Sequence, residues 1–579
     1  MLDSARRIAL TLLLTAVAPA ALAEQTQTLE SGLDAKERRL FYHAPLGSEL
    51  VPLAWIEALE NAAADGADNG KPFLETVARY GLLADPGNRH GLPIGMTAAE
   101  SDHPSFKDRI MVGFTCAACH VGELRYQGQV VRIDGAPNLL RIELFIQHLA
   151  ESLGATLKSK KKVFAFVKRM RDHTSYGTRM AENTPDSHKL FGEHDSLDSL
   201  LKGDPKLARA LNEAQAEVAR VEASALGHGG DAAKKNKQGW LARLREKVGT
   251  NAAVVGTYFD VFKLLKSRLA FLIKMRKVGG YMPTTDPGPG RNDDWTLGRN
   301  VVFKEADWLA AQASVSYPDL WGYNDAKWLT WNGATTSGME RGIATVIGMF
   351  AQFDQKKHTS SVSIRGLAVA DKLALQIQPP RWPAKIFGPI DGEKAKRGEQ
   401  IYRQQCASCH DKPGFTDLHE IGTDPLHALG YVTPLNDGRP FPAAFSADMT
   451  KYKASAYKAQ KVSPDVIAKV EAAAPDVWKS VYRYVSRPLA GAWATAPYLH
   501  NGSVPTIHDL LLPPAQRPRS FPVGHRDFDP VKLGHTTDPK VVVWTFDVGE
   551  PGNDNGGHLY GTDLDEGDRM ALLEYLKSL

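Results

Sequence analysis

The chain has 579 residues, with 70 lysines and arginines against 66 aspartates and glutamates, a net charge of +4, and only 4 cysteines. At roughly 100–200 residues per domain this length predicts two or more domains, and the ordinary composition allows a sizeable core. So small a charge excess excludes a dedicated nucleic-acid binder, whose basic bias is stronger.

The N-terminus has the pattern of an export signal. Arg6 and Arg7 supply the positive end, an apolar run covers Ile8 to Val17, and Ala21-Leu22-Ala23 is a small-x-small cleavage site. This predicts a signal peptide over residues 1–23 and a periplasmic or secreted mature chain. The run is short for a membrane anchor. No later segment holds about 18 uninterrupted apolar residues, so no transmembrane segment is expected in the mature chain.

All four cysteines fall in two motifs, Cys116-Ala117-Ala118-Cys119-His120 and Cys406-Ala407-Ser408-Cys409-His410. Cys-x-x-Cys-His is the attachment signature of haem c. Two thiols at this spacing form thioethers to the two vinyl groups of one porphyrin, and the following histidine offers its imidazole to the iron. Redox dithiols and zinc sites share the Cys-x-x-Cys part. Neither accounts for a histidine after both pairs with no cysteine left over. The reading is two covalently bound haem c groups, attached through Cys116, Cys119, Cys406 and Cys409, with iron ligands His120 and His410. A calcium ion is not readable from the sequence.

Gly91 to Gly95 is a turn-rich approach to the first motif, and Val130 to Gly135 reads as a short strand and turn after it. A helix is predicted from about Leu139 to Leu153. The polar stretch from Ser187 to Gly249 reads as an exposed helical insertion within about 187–280. Tyr258, Val261, Phe262, Leu265, Leu269 and Leu272 recur at helical spacing, ringed by Lys263, Lys266, Arg268, Lys274, Arg276 and Lys277. That pattern suits a lipid- or anion-facing helix, or a core-facing helix with a solvated basic face. Lys158 to Arg171 reads the same way. Pro379, Pro380 and Pro383 mark an extended entry to a second domain. Gly392 to Tyr402 then reads as a helix leading into the second motif, and Leu564, Met570, Leu573 and Leu576 stripe a closing helix that Asp563 can cap. The expected fold is mainly α, with long loops and few short strands. An N-terminal haem domain over 24–385, enlarged by insertions, precedes a cytochrome c-like domain over 386–579, whose first and last helices cross.

Each iron needs its opposite side assigned. Two protein ligands suit electron transfer, whereas an open side suits oxygen or peroxide chemistry. Met449, Met170 and Met180 follow the motifs but read as core filler. In the C-terminal region His500 and His558 compete for the iron of His410. His558 is favoured because its Gly/Asn-rich loop, Gly552 to Gly561, lets backbone pass close to a porphyrin face.

The run Pro488 to Thr506, containing Ala496-Pro497-Tyr498-Leu499-His500-Asn501-Gly502-Ser503, resembles the di-haem cytochrome c peroxidase superfamily. With Arg517-Pro518, Phe528-Asp529-Pro530, Gly552 to Gly561, Gly91 to Gly95, Gly113 to His120 and Arg132 to Gly135, the chain is similar to one branch, that of rubber oxygenase and the di-haem fatty-acid dioxygenases and diol synthases. The resemblance covers both haem regions and about half of the chain. It implies that His120 is the sole protein ligand of a reactive N-terminal haem, and that His410 and His558 together hold an electron-storing haem. It also implies an aromatic residue between the haems, matched loosely by Trp321, with Trp328 and Trp331 as pocket neighbours.

Three functions follow. The first is a haem-dependent dioxygenase, lipoxygenase-like or diol synthase-like, using dioxygen and an apolar unsaturated chain, fatty acid or polyisoprenoid. Its catalytic residues would be His120 and Trp321, and a fatty acid would suit a basic entrance near Lys263 and Lys266. The second is a peroxidase reducing hydrogen peroxide, for which Asp319, Asp325, Asp134 and Glu123 are the available acids. The third is a non-enzymatic electron carrier. A small periplasmic electron donor is the expected protein partner.

Overall fold

The computed structural model describes residues 26–101, 109–159, 161–163, 165–170, 265–266, 268–275, 285–322, 328–412, 414–473 and 482–579. The expected signal peptide, most of the 187–280 segment, Lys263, Met180 and Asp325 lie outside these residues.

The first half builds two small sheets around the first cysteine motif. Strand β1 (Thr26–Thr28) leads to helix α1 (Ala35–His43), which starts in a capping box. Asp34 accepts from the backbone of Lys36 and Glu37, and Glu37 reaches back to Asp34 N. Strands β2 (Val51–Pro52), β3 (Met96–Glu100) and β4 (Ile110–Phe114) form one antiparallel sheet with β4 in the centre. Strands β5 (Val121–Tyr126) and β6 (Gln129–Asp134) form a hairpin to which β1 adds in parallel. Its two-residue turn, Gln127-Gly128, takes φ of +48° and +81°, and the left-handed twist at both positions suits a tight hairpin. The strand expected at Val130 to Gly135 is β6. Because β4 ends at Phe114 and β5 begins at Val121, the motif Cys116–His120 is the hinge between the two sheets.

Helix α2 (Ile142–Leu157) starts and ends a few residues later than its sequence pattern suggested. Its Phe145, Leu149 and Leu153 enter a core with Phe114, Leu265, Leu272 and Met275. Residues 268–275 are thus a core-facing helix. One correction belongs here: Arg268, expected on a solvated basic face, is buried, donating Nε–H to Leu50 O and lying 4.3 Å from the Phe271 ring centre. Its stem and planar head find both an acceptor and an aromatic face, which a solvated face would not supply.

The longer helices that follow are α3 (Asp294–Val302), α4 (Gly338–Gly348), α5 (Ile364–Ala374), α6 (Gly392–Gln405), α7 (Phe441–Ala459) and α8 (Glu566–Leu576), with short two-stranded sheets such as Phe415–Asp417 paired with Arg483–Val485 between them. Met449 is fully buried on α7, as core filler would be. Helix α6 begins at Asp391, whose carboxylate accepts from the backbone of Glu393 and Lys394, and its C-cap is Cys406 itself. Helices α6 and α8 cross where Gly398 lies so close that a Cβ would overlap the Ala571 carbonyl. The cap of α8 is Asp565, which accepts from Asp568 N at 2.8 Å, and not the expected Asp563. The reason is local: Leu564 turns its carbonyl to Arg569, so the chain enters the helix one residue after Leu564.

A second core draws from both sides of the expected 385/386 division, joining Leu33, Val121, Ile133 and Trp321 to Ile401, Tyr402, Trp493 and Leu572. The protein is helix-rich, its sheets have two or three strands, and no barrel occurs among the described residues.

Candidate haem sites

The first motif is fixed from several directions. Cys119 O accepts from Asn138 N and Ala118 O from Asn138 Nδ2, both at 2.8 Å, while His120 O accepts from Gly135 N at 2.8 Å. Gly95, with φ of +87°, approaches Ala118 so closely that any Cβ would collide with its backbone. Packing then delivers the imidazole: His120 Nδ1–H donates to Pro318 O at 2.8 Å. A donating Nδ1 leaves Nε2 with its lone pair for a metal. Burial pushes the His120 pKa down to about 4, so the ring stays neutral at physiological pH. The aromatic ring beside it is Tyr317, with centres 6.5 Å apart. The Tyr317 hydroxyl is buried beside the Cys119 thiol, and that burial holds its pKa well above the ordinary value.

The second motif repeats the device. His410 Nδ1–H donates to Arg487 O at 2.6 Å, again leaving Nε2 free. Burial lowers the His410 pKa. Across from it stands His558, with ring centres 6.4 Å apart. Two metal–imidazole bonds of about 2 Å, with roughly 1 Å from each nitrogen to its ring centre, require a separation of about 6 Å. His410 and His558 are therefore close enough that both would hold the iron of a haem attached at the second motif. His500 is elsewhere: it is buried, stacked on Tyr484 at 4.1 Å and close to His427.

Several side chains hold His558 in place. Gly557, at φ of +67°, backs against Gly422 with no room for a Cβ, and His558 itself has φ of +47°. His558 N donates to Ile421 O at 2.7 Å. Arg517 spends its guanidinium on carbonyls, those of Leu510, Leu512, Asn555, Gly557 and His558. Asn501 Nδ2 donates to Gly552 O and Asp554 O, and Ser503 Oγ to Asp554 O. The residues after His500 in its motif are thus staples for the loop that carries His558. Burial pushes the His558 pKa to about 4.

The other expected residues are placed as follows. Trp321 is buried between two glycines, Gly135 just after the first motif and Gly491 in the C-terminal region, each of whose Cβ positions would lie within 3.3 Å of the indole. Trp328 packs 5.7 Å from Phe415, and Trp331 donates to Ser316 O at 2.8 Å and sits beneath Arg487. Trp328 thus packs on the strand Phe415–Asp417, and Trp331 bridges Ser316 and Arg487. The acids are committed to structure. Asp134 accepts from Ser31, Arg38 and Tyr42, Glu123 pairs with Arg132 and Arg526, and Asp319 with Arg487.

One acid was not anticipated. Glu143, in the first turn of α2, interacts electrostatically with Cys119 and Tyr317, and burial pushes its pKa up to about 7. Only the packing of α2 against the first motif brings it there, so the sequence carried no signal for it.

At both motifs the donor set fits a haem c: two thiols, a histidine whose Nδ1 is tied to a carbonyl, and for the second a facing imidazole. Residues 483–522 match a family model described as RoxA-like, cytochrome c-like. This stretch contains Arg487, Gly491, the His500 to Ser503 motif and Arg517, and the match supports covalently bound haem c and an oxidoreductase. The chain is 27% identical to the uncharacterized protein y4iJ of Sinorhizobium fredii, over 95% of this chain and 93% of the relative. It is 28% identical to the uncharacterized protein y4iM of the same organism, over 50% of this chain and 63% of that relative.

Proposed function

We propose that the chain is an exported di-haem c-type oxygenase that adds dioxygen to an unsaturated hydrocarbon chain, a fatty acid or a polyisoprenoid, at the haem of Cys116, Cys119 and His120. The observation that carries this reading is the asymmetry of the two histidines. Among the described residues, His410 faces His558 with ring centres 6.4 Å apart, whereas the ring beside His120 is that of Tyr317. A haem with one protein ligand supplies an open coordination side for activating dioxygen.

The chain's own residues supply the rest. Pro318 O fixes the His120 ring and its tautomer. The first core, with Phe114, Phe145 and Leu149, packs against Cys116 and Cys119 and gives the attachment region an apolar wall, which suits a hydrocarbon substrate. Trp321, held between Gly135 and Gly491, is the aromatic link from the first motif towards the C-terminal region.

A peroxidase is the second reading, and Glu143 is the observation that favours it: a carboxyl with a pKa near 7 is suited to moving a proton at neutral pH. Oxygen uptake and product analysis with an unsaturated fatty acid or polyisoprene, run beside hydrogen peroxide with an electron donor, separate the two. The proposal expects oxygenated products, with the Glu143→Gln variant within about threefold of wild type. Peroxide turnover without such products, and a loss on the order of 100-fold in Glu143→Gln, contradict it.

A further inference from the structure

The two motif histidines are about 290 residues apart in the chain, yet they hang on carbonyls that one ion pair ties together. His120 Nδ1 donates to Pro318 O at 2.8 Å. The next residue, Asp319, receives Arg487: Nη2 lies 2.9 Å from each carboxylate oxygen and 2.9 Å from the Asp319 carbonyl, and Nε lies 3.2 Å from Oδ2. Arg487 O in turn accepts from His410 Nδ1 at 2.6 Å. The segment bearing Pro318 is held at both ends, with Tyr317 N donating to Gly290 O and Leu320 N to Gly135 O, each at 2.9 Å. The Asp319 and Arg487 side chains are 10% and 26% exposed, so the pair is shielded more than a surface pair.

The geometry points to Asp319 and Arg487 as a positioning pair that couples the two haem sites, an inference that rests on the di-haem reading above. A hydrogen bond from Nδ1–H raises the basicity of a histidine ligand and so favours the oxidised metal. The fork between Asp319 and Arg487 sets both carbonyls at once, since it grips the residue after Pro318 and the side chain of the residue whose own carbonyl holds His410. Loosening the fork from either side weakens both hydrogen bonds and makes both haems easier to reduce.

The test is a potentiometric titration of the full-length holoprotein, comparing wild type with Asp319→Asn, Arg487→Met and Arg487→Lys, after haem content and unfolding midpoint have been recorded for each. Coupling through position predicts that all three variants raise both midpoint potentials. A tenfold shift in the oxidised-to-reduced ratio is expected for Arg487→Met, which is about 59 mV for a one-electron couple. Arg487→Lys, which keeps the charge and loses the fork, is expected to shift by less in the same direction. A simple charge effect predicts the opposite sign for Arg487→Met, because removing a cation favours the oxidised state. A fall in either potential, a change at only one haem, or wild-type behaviour of Arg487→Lys would overturn the proposal and leave the di-haem reading standing. A wild-type protein with a single haem would overturn both.

Discussion

His558 and His500 are two histidines of one region, and the fold places them differently. His558 is held facing His410 by Arg517 and by a backbone bond to Ile421, whereas His500 is stacked on Tyr484. His558→Ala is therefore expected to convert one haem of two from a low-spin to a high-spin spectrum, and His500→Phe to leave both spectra unchanged. Electron paramagnetic resonance of the oxidised proteins checks this, and an unchanged low-spin signal in His558→Ala contradicts it. At Asp134 the expectation concerns stability. Its carboxylate accepts from Ser31, Arg38 and Tyr42 in the interior, so Asp134→Ala leaves donors unpaired and is expected to cost about 3 kcal/mol in a urea titration. The two Cys-x-x-Cys-His motifs stand out in the sequence, because thioether chemistry demands a short, fixed spacing. Arg487, Glu143 and the staple at Arg517 act only through tertiary contacts with distant segments. Nothing in the spacing of those three residues announced their roles, although Arg517 stood among the residues that carried the resemblance.

Helices α6 and α8 were legible as elements, since their patterns are local, although α6 runs on to Gln405 beyond the expected Tyr402. The exception, a cap two residues later than Asp563, arose from the Leu564–Arg569 contact. Their crossing was anticipated, but the residue that permits it was not. Gly398 has φ within the ordinary helical range, so its need for glycine comes only from Ala571 on the other helix. Gly398→Val is expected to force the helices apart and to destabilise the protein by about 2–3 kcal/mol. Holoprotein thermal melts check this, and an unchanged midpoint would contradict the close crossing. The loop from Gly552 to Gly561 is governed in the same way by contacts from Asn501, Ser503 and Arg517. Gly557 in this loop makes a close backbone approach to Gly422.

Across the whole molecule, buried neutral histidines set the response to acid. Burial pushes His535 down to about 3 from 6.5 and lowers His148 and His500 as well. A depressed folded pKa means that the unfolded chain binds the proton first. The stability is thus complete above about pH 6.5 and falls as the pH drops from there towards 3. The denaturation midpoint is expected to decline between pH 7 and pH 5, and His535→Phe to flatten that decline; a midpoint independent of pH over this range would contradict it. The helix-rich character was legible in the sequence, while the shared second core was not, because residues from both halves meet only after folding. On the proposed reading one iron has a single protein ligand and the other has two. Carbon monoxide titration of the reduced holoprotein is then expected to shift half of the haem absorbance, and a shift in both haems or in neither would rule that ligation out.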